Sequence, residues 1–192
     1  MSVSQADRRY TPREAAALSG VRLQRIQNAI TDGLIGRRAL TRARDGRRRI
    51  DLPAVLTFAA VDRLGKVRIE PKALYKAFRK SGLPRGPVAV TEAVTIDAAR
   101  LLAPVVRKVR LYETARARIV SNRAVMGGLP VVKGTRIPAR TLHARLKGGD
   151  TLDSILEDYP HLDRETVEAA YLYVEANPRR GRPRRRAAET AR

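Results

Sequence analysis

Five side chains that can read the edges of nucleic-acid bases, Arg22, Gln24, Arg25, Gln27 and Asn28, fall within one short run. Arginine pairs bidentately with guanine, and asparagine or glutamine with adenine, so this set suits the major groove of DNA. Leu23, Ile26 and Ile30 recur at i, i+3 and i+7 in the same run. That spacing predicts a helix with the three apolar residues inward and the five polar ones outward. A little further on, Arg42, Arg44, Arg47, Arg48 and Arg49 crowd a segment centred on Asp45-Gly46, the strongest short signal for a β-hairpin. An arginine-loaded ribbon can lie along phosphates or enter a minor groove. The polar helix face alone would equally suit a solvated surface, and the adjacent ribbon is what favours DNA.

The elements that position these residues are also legible. Thr11-Pro12-Arg13-Glu14 forms a capping box, with Thr11 at the N-cap and Pro12 at the first helical position. Ala15, Ala16 and Leu18 give that first helix a small apolar face, and Ser19-Gly20 breaks it. Asp32-Gly33 closes the second helix, the hairpin spans Ala39 to Ile50, and Asp51 caps a third helix running to about Leu64. Leu52, Leu56, Ala59, Ala60 and Leu64 are the expected buried stripe of that helix. Helix-turn-helix, basic wing and closing helix together resemble the MerR-type winged-helix head. The resemblance implies DNA binding by residues 1–66. The long dimerising coiled coil of that family is missing, so metal or drug sensing is not implied.

Composition points the same way. Among 192 residues, 40 Lys and Arg stand against 19 Asp and Glu, a net charge of +21. A polyanion is the default partner for such a chain, because each neutralised phosphate releases counterions. Without cysteine there is no disulfide frame, thiolate metal site or Cys nucleophile, and the cytoplasm is the expected compartment. No apolar run approaches a membrane span, and Met1 to Arg9 is polar, unlike a signal peptide. The charge is uneven: net +8 over residues 1–66, +7 over 67–117, zero over 118–177 and +6 over 178–192.

Residues 67–117 read as a connecting α+β unit. Pro71 to Ser81 patterns as a helix with Leu74, Ala77 and Phe78 inward and Lys72, Lys76, Arg79 and Lys80 outward. Val88 to Val90 and Val94 to Ile96 pattern as strands, and Gly65 to Arg68 as a strand or linker. Asp97 caps a helix that Pro104 should kink or interrupt, and Val105 to Glu113 fits either helix or strand.

In the neutral third, Ile119-Val120 and Leu129 to Val132 read as strands, and Pro130-Val131-Val132-Lys133-Gly134-Thr135-Arg136-Ile137-Pro138 as a strand, a glycine turn and a helix start at Pro138. A helix to Lys147 buries Leu142 and Leu146. Thr151 caps the next, and Asp163 caps a last one with Val167, Ala170, Tyr171 and Val174 inward. With Tyr159-Pro160-His161-Leu162 and the arginine-rich end, this run resembles the bacterial domain-of-unknown-function family 433, which looks like the core of VapB-type antitoxins. The resemblance implies an assembly module over 118–177, a homodimer, and inhibition of a PIN-like ribonuclease toxin. Asp153, Glu157 and Asp158 would repel phosphates, so this module is expected to assemble rather than read DNA.

The segment 178–192 carries seven arginines and almost nothing apolar, a composition that does not order itself. Arg180-Gly181-Arg182-Pro183 is similar to the core of an AT-hook, which inserts arginine into A·T-rich minor grooves. The antitoxin resemblance implies another use: Arg179, Arg180 and Arg182 pairing with a nuclease's acidic metal site, with Tyr171 and Tyr173 as a nearby apolar patch. A merely solubilising tail is a third. Neither Gly134-Thr135-Arg136 nor the glycine pairs have nucleotide-loop spacing, and His143 and His161 have no nucleophile or ligand partner in sequence. The expected protein is therefore a non-enzyme without cofactor or metal, mainly α with short β-hairpins. It is expected to bind operator DNA as an antitoxin or, alternatively, to be a stand-alone DNA-binding regulator or nucleoid-type protein without a toxin partner.

Overall fold

Five helix starts in the computed structural model, which describes residues 8–178, are capped by a side chain accepting a backbone N–H. After β1 (Arg9–Tyr10), α1 (Pro12–Ser19) opens on the complete capping box: the Thr11 hydroxyl accepts from Glu14 N–H at 3.2 Å and Glu14 accepts from Thr11 N–H at 2.6 Å. Gly20, at φ 79°, ends it in the left-handed conformation that glycine adopts without cost. Then come α2 (Leu23–Thr31), β2 (Leu40–Arg42), β3 (Arg48–Asp51) and α3 (Leu52–Leu64), capped by Asp51. The hairpin turn closes on Gly46, at φ 72°. β3 is the centre of a three-stranded antiparallel sheet, with β2 on one side and β1 on the other. The pairing of β1 gave no pattern of its own, being two residues long.

The middle segment is α4 (Pro71–Ser81), the pair β4 (Val88–Ala89) and β5 (Thr95–Ile96), and α5 (Ala98–Arg118). Residues 65–68 are the linker of the two expected alternatives, a turn at 65–66 followed by irregular chain, and not a strand. Pro104 does not interrupt α5, which runs unbroken for 21 residues. The proline sits on the exposed face, where the carbonyl it leaves unpaired can reach water. Buried Leu102, Val105, Val106 and Val109 hold the opposite face.

The last third comprises β6 (Ile119–Val120) paired with β7 (Val131–Val132), then α6 (Ala139–Lys147), α7 (Leu152–Asp158) and α8 (Arg164–Ala176). Pro138, expected to be the first helical residue, lies instead at the N-cap of α6 with extended ψ, and the helix begins at Ala139. The chain is thus mainly helical, with short antiparallel strand pairs. One apolar core continues from Tyr10 to Ala176. α8 packs on α5 and α6 and also touches α1, so the last helix of the described chain rests on the first. No helix among the described residues is long and apolar enough to cross a membrane.

Candidate nucleic-acid interface

Periodicity alone places the base-reading residues outward. Ile26 and Ile30 are buried with Ala29, Leu23 is half-buried, and Arg22, Gln24, Arg25, Gln27 and Asn28 are all exposed on α2. Two of them are held in place from within the helix, Gln24 Nε2 donating to Asn28 Oδ1 at 2.9 Å. Arg25 is paired with Asp62 of α3 but remains 65% exposed. Arg22 occupies the N-cap of α2 and offers no capping hydrogen bond, so the first N–H groups of this helix are left without a side-chain acceptor. The exposed α2 face therefore combines three amides, two guanidiniums and open backbone donors.

On the hairpin, antiparallel register sets Arg42 directly opposite Arg48. Like charges at facing positions destabilise a sheet. Neither has a carboxylate partner among the described residues, nor has Arg44, and all three are exposed. Asp45 in the turn is shared: its Oδ1 accepts from Arg47 N–H, and its carboxylate stands 3.4 Å from Arg47 Nε and 3.7 Å from Arg49. Arg49 points the other way, half-buried and 3.8 Å from Glu14. Of the five hairpin arginines, three are free for an external anion, Arg47 is partly engaged, and Arg49 ties the ribbon to α1. A concavity of about 600 Å³ lies between the end of α2 and the hairpin, with Arg37, Arg42 and Arg48 on its wall.

The sequence reading missed a second basic surface. α4 presents Lys72, Lys76, Arg79 and Lys80 to solvent, and no acid within the helix offsets them. The residues were read as outward, but nothing in the pattern tied them to the hairpin. The link is tertiary: Tyr75 of α4 donates to Asp51 Oδ2 at 2.8 Å, and Asp51 ends the central strand β3. Burial, then the Asp51 hydrogen bond, pushes the Tyr75 hydroxyl up to about 12. Burial also raises the Asp51 carboxyl above its ordinary value, outweighing the Tyr75 and Ala54 hydrogen bonds and nearby Arg9.

The head is fastened to the rest of the chain through Glu14. This buried carboxylate accepts from the Tyr112 hydroxyl at 2.7 Å and stands 3.5 Å from Arg116 Nη2. Arg116 also donates to the Arg9 carbonyl at 2.7 Å and lies over the rings of Tyr10 and Tyr112. The Tyr10 hydroxyl donates to Glu113, and Asn177 at the end of α8 donates to the Tyr112 oxygen at 2.8 Å. Burial, with Glu113 and Glu14 nearby, holds both phenols protonated well beyond the usual tyrosine range.

The residues expected to meet a nuclease fare differently. Tyr173 is stacked on Tyr112 inside this junction, with ring centroids 6.4 Å apart, while Tyr171 stacks on His143 and borders an open groove. Arg179, Arg180 and Arg182 lie outside the described residues. Within the 118–177 module expected to join two copies, the apolar face of α8 is covered by α5, α6 and α1 of the same chain.

Residues 119–174 match the family model described as a protein of unknown function, DUF433. The match takes in both strands β6 and β7 and most of α6 to α8. The chain is also 41% identical over 97 residues to "Uncharacterized protein y4eO" of Sinorhizobium fredii, an alignment covering 48% of this chain and 42% of that protein. The chain therefore matches less than half the length of that relative. No solved structure matches.

Proposed function

We propose that this protein is the antitoxin of a type II toxin–antitoxin pair. In this reading it works in the cytoplasm as a homodimer, binds operator DNA through α2 and the β2–β3 hairpin, and neutralises a PIN-like ribonuclease. The observation that carries the DNA half is the facing pair Arg42 and Arg48 beside the exposed α2 side chains. A phosphate between the two guanidiniums replaces their repulsion with charge-assisted hydrogen bonds. The hairpin then supplies affinity and α2 supplies base preference, with two heads matching a pseudo-palindromic site. The nuclease half rests on the DUF433 match and on the resemblance of the sequence over 118–177 to the core of VapB-type antitoxins. Arg179, Arg180 and Arg182 are its proposed inhibitory arm, with Tyr171 as an apolar contact.

The experiment has two arms. Fluorescence anisotropy with the DNA upstream of the protein's own gene should give salt-sensitive binding, and Arg42→Ala with Arg48→Ala should flatten the logarithmic salt slope by about 2. Unchanged affinity and slope would sink the DNA reading. Co-expression with a nuclease encoded beside it should restore growth with the full chain but not with a chain ending at Asn177. A stand-alone regulator is the second reading, favoured by the free cations lying on DNA-facing elements. It predicts the same DNA result and no rescue by either chain.

A further inference from the structure

An open groove of about 1150 Å³ is lined by residues of α1, α2, α5 and α6 to α8. Its floor is apolar but incompletely covered: Leu23, Leu111, Leu146, Leu152 and Tyr171 all line it and are all only half-buried. Its rim is cationic. Arg13, Arg22 and Lys108 border it, and no carboxylate among the described residues pairs with any of them. The two acids on the rim are already engaged, Glu168 with Arg107 at 3.3 Å and Glu175 with His143 and Lys147.

We infer that this groove seats an amphipathic helix of a protein partner, laying leucine-like side chains on the floor and carboxylates against Arg13, Arg22 and Lys108. Charge decides among occupants. The arginine-rich segment 178–192 would bring cations to a cationic rim, and a second copy would bring a chain of net charge +21. Nucleic acid would satisfy the rim but has no use for an apolar floor. Size decides between a small anion and a helix: small-molecule sites usually hold roughly 300–1000 Å³. About three turns of helix, some 10 Å across and 15 Å long, fill a space like this one. Helix-in-groove recognition works by such an apolar stripe, with flanking charges setting which partner fits.

The inference deepens the antitoxin reading, since it rests on the chain having a protein partner, and it gives that partner a second consequence. Arg22 belongs both to the groove rim and to the exposed α2 face. A helix in the groove engages Arg22 and touches the element proposed to read DNA, so partner and operator are coupled through it.

The test uses the full chain and a labelled peptide of about fourteen residues with leucines on one helical face and glutamates on the other. At about 0.15 M salt the peptide should bind, and its lysine counterpart should bind at least about tenfold more weakly. Lys108→Glu should weaken the glutamate peptide about fivefold or more, and Leu152→Glu, which sets a carboxylate in the floor, about tenfold. Lys108→Arg should retain binding. Lys133→Glu, an exposed change outside the groove, should leave it unaltered. Equal binding of the two peptides, or equal loss in Lys108→Glu and Lys133→Glu, overturns the inference, because general electrostatics would then explain everything. Lys108 is exposed, so its variants stay informative even where Leu152→Glu unfolds the chain. No nuclease enters this assay, so its failure is separable from failure of growth rescue.

Discussion

Arg42 and Arg48 face each other across the hairpin without a carboxylate between them, whereas Arg116 is enclosed by Glu14, the Arg9 carbonyl and two tyrosine rings. Arg118 is still more fully employed, donating to Asp163, Glu165 and Thr166. The residue type is the same in each region, and its partners differ. An arginine whose donors are satisfied within the chain fixes two elements together. One set opposite its own kind keeps an unfavourable term that an external anion can remove. Net charge announces a polyanion partner, and partner bookkeeping tells which cations are left to meet it.

Breaking the satisfied region should give the largest effect. Glu14→Ala leaves the Tyr112 hydroxyl without its carboxylate acceptor and takes the buried carboxylate from Arg116, which keeps the Arg9 carbonyl and Glu113. The expected loss is about 3–5 kcal/mol, as when one partner of a buried pair is removed. Urea unfolding of the full chain measures it. A loss below about 1 kcal/mol would mean that the junction contributes little and that the head is held by apolar packing alone.

Next in size are the α2 side chains, which lie between the two extremes because they are exposed yet partly paired. Arg25→Ala or Asn28→Ala should relax base preference by about 1–3 kcal/mol in competition assays against scrambled operator DNA. Asp62→Asn sharpens the comparison by freeing Arg25 from its ion pair. It should strengthen binding to all sequences, and no change would show that Arg25 does not face DNA.

The free region should respond in the opposite sense from Glu14. Arg48→Ala removes a facing like charge, so the folded chain should gain about 0.2–1 kcal/mol while DNA binding weakens. A thermal melt and an anisotropy titration on one sample test both signs. If Arg48→Ala destabilises the chain, the hairpin arginines are structural.

Local signals carried most of what could be foreseen. Caps at Thr11, Asp51, Asp97, Thr151 and Asp163, the Asp45-Gly46 turn and the 3.6-residue stripes depend on neighbours in sequence, and the structure places helices and hairpin where they point. What escaped was long-range. Glu14 was legible as half of a capping box, yet its other oxygen meets Tyr112, 98 residues away. Arg49 reads like its hairpin neighbours, and only its inward direction separates it from Arg48. Tyr173 and Tyr171 look equivalent in a helix and are both half-buried, but Tyr173 stacks on Tyr112 of α5 whereas Tyr171 borders the groove. Whether Pro104 would interrupt its helix was illegible for the same reason, since its cost depends on which face meets water.

The smallest effect tests a pair that is satisfied but not buried. Asp163 caps α8, accepting from Thr166 N–H at 2.7 Å, and Arg118 Nη1 reaches both of its oxygens at 2.6 Å. The Thr166 hydroxyl and N–H, together with Arg118, hold its carboxyl below the ordinary value. Asp163→Asn keeps an oxygen for the cap and removes only the charge. Because the side chain is 60% exposed, solvent screening limits the loss to about 0.5 kcal/mol near neutral pH. The sign with pH follows from the depressed folded-state pKa. Stabilisation by the charge is complete above the unfolded value of about 4 and disappears as pH falls through the lower folded value. Urea curves of wild type and Asp163→Asn should therefore differ at neutral pH and converge in acid. A gap that persists in acid would assign the loss to cap geometry and leave the Arg118 ion pair without energetic weight, unlike the buried pair at Glu14.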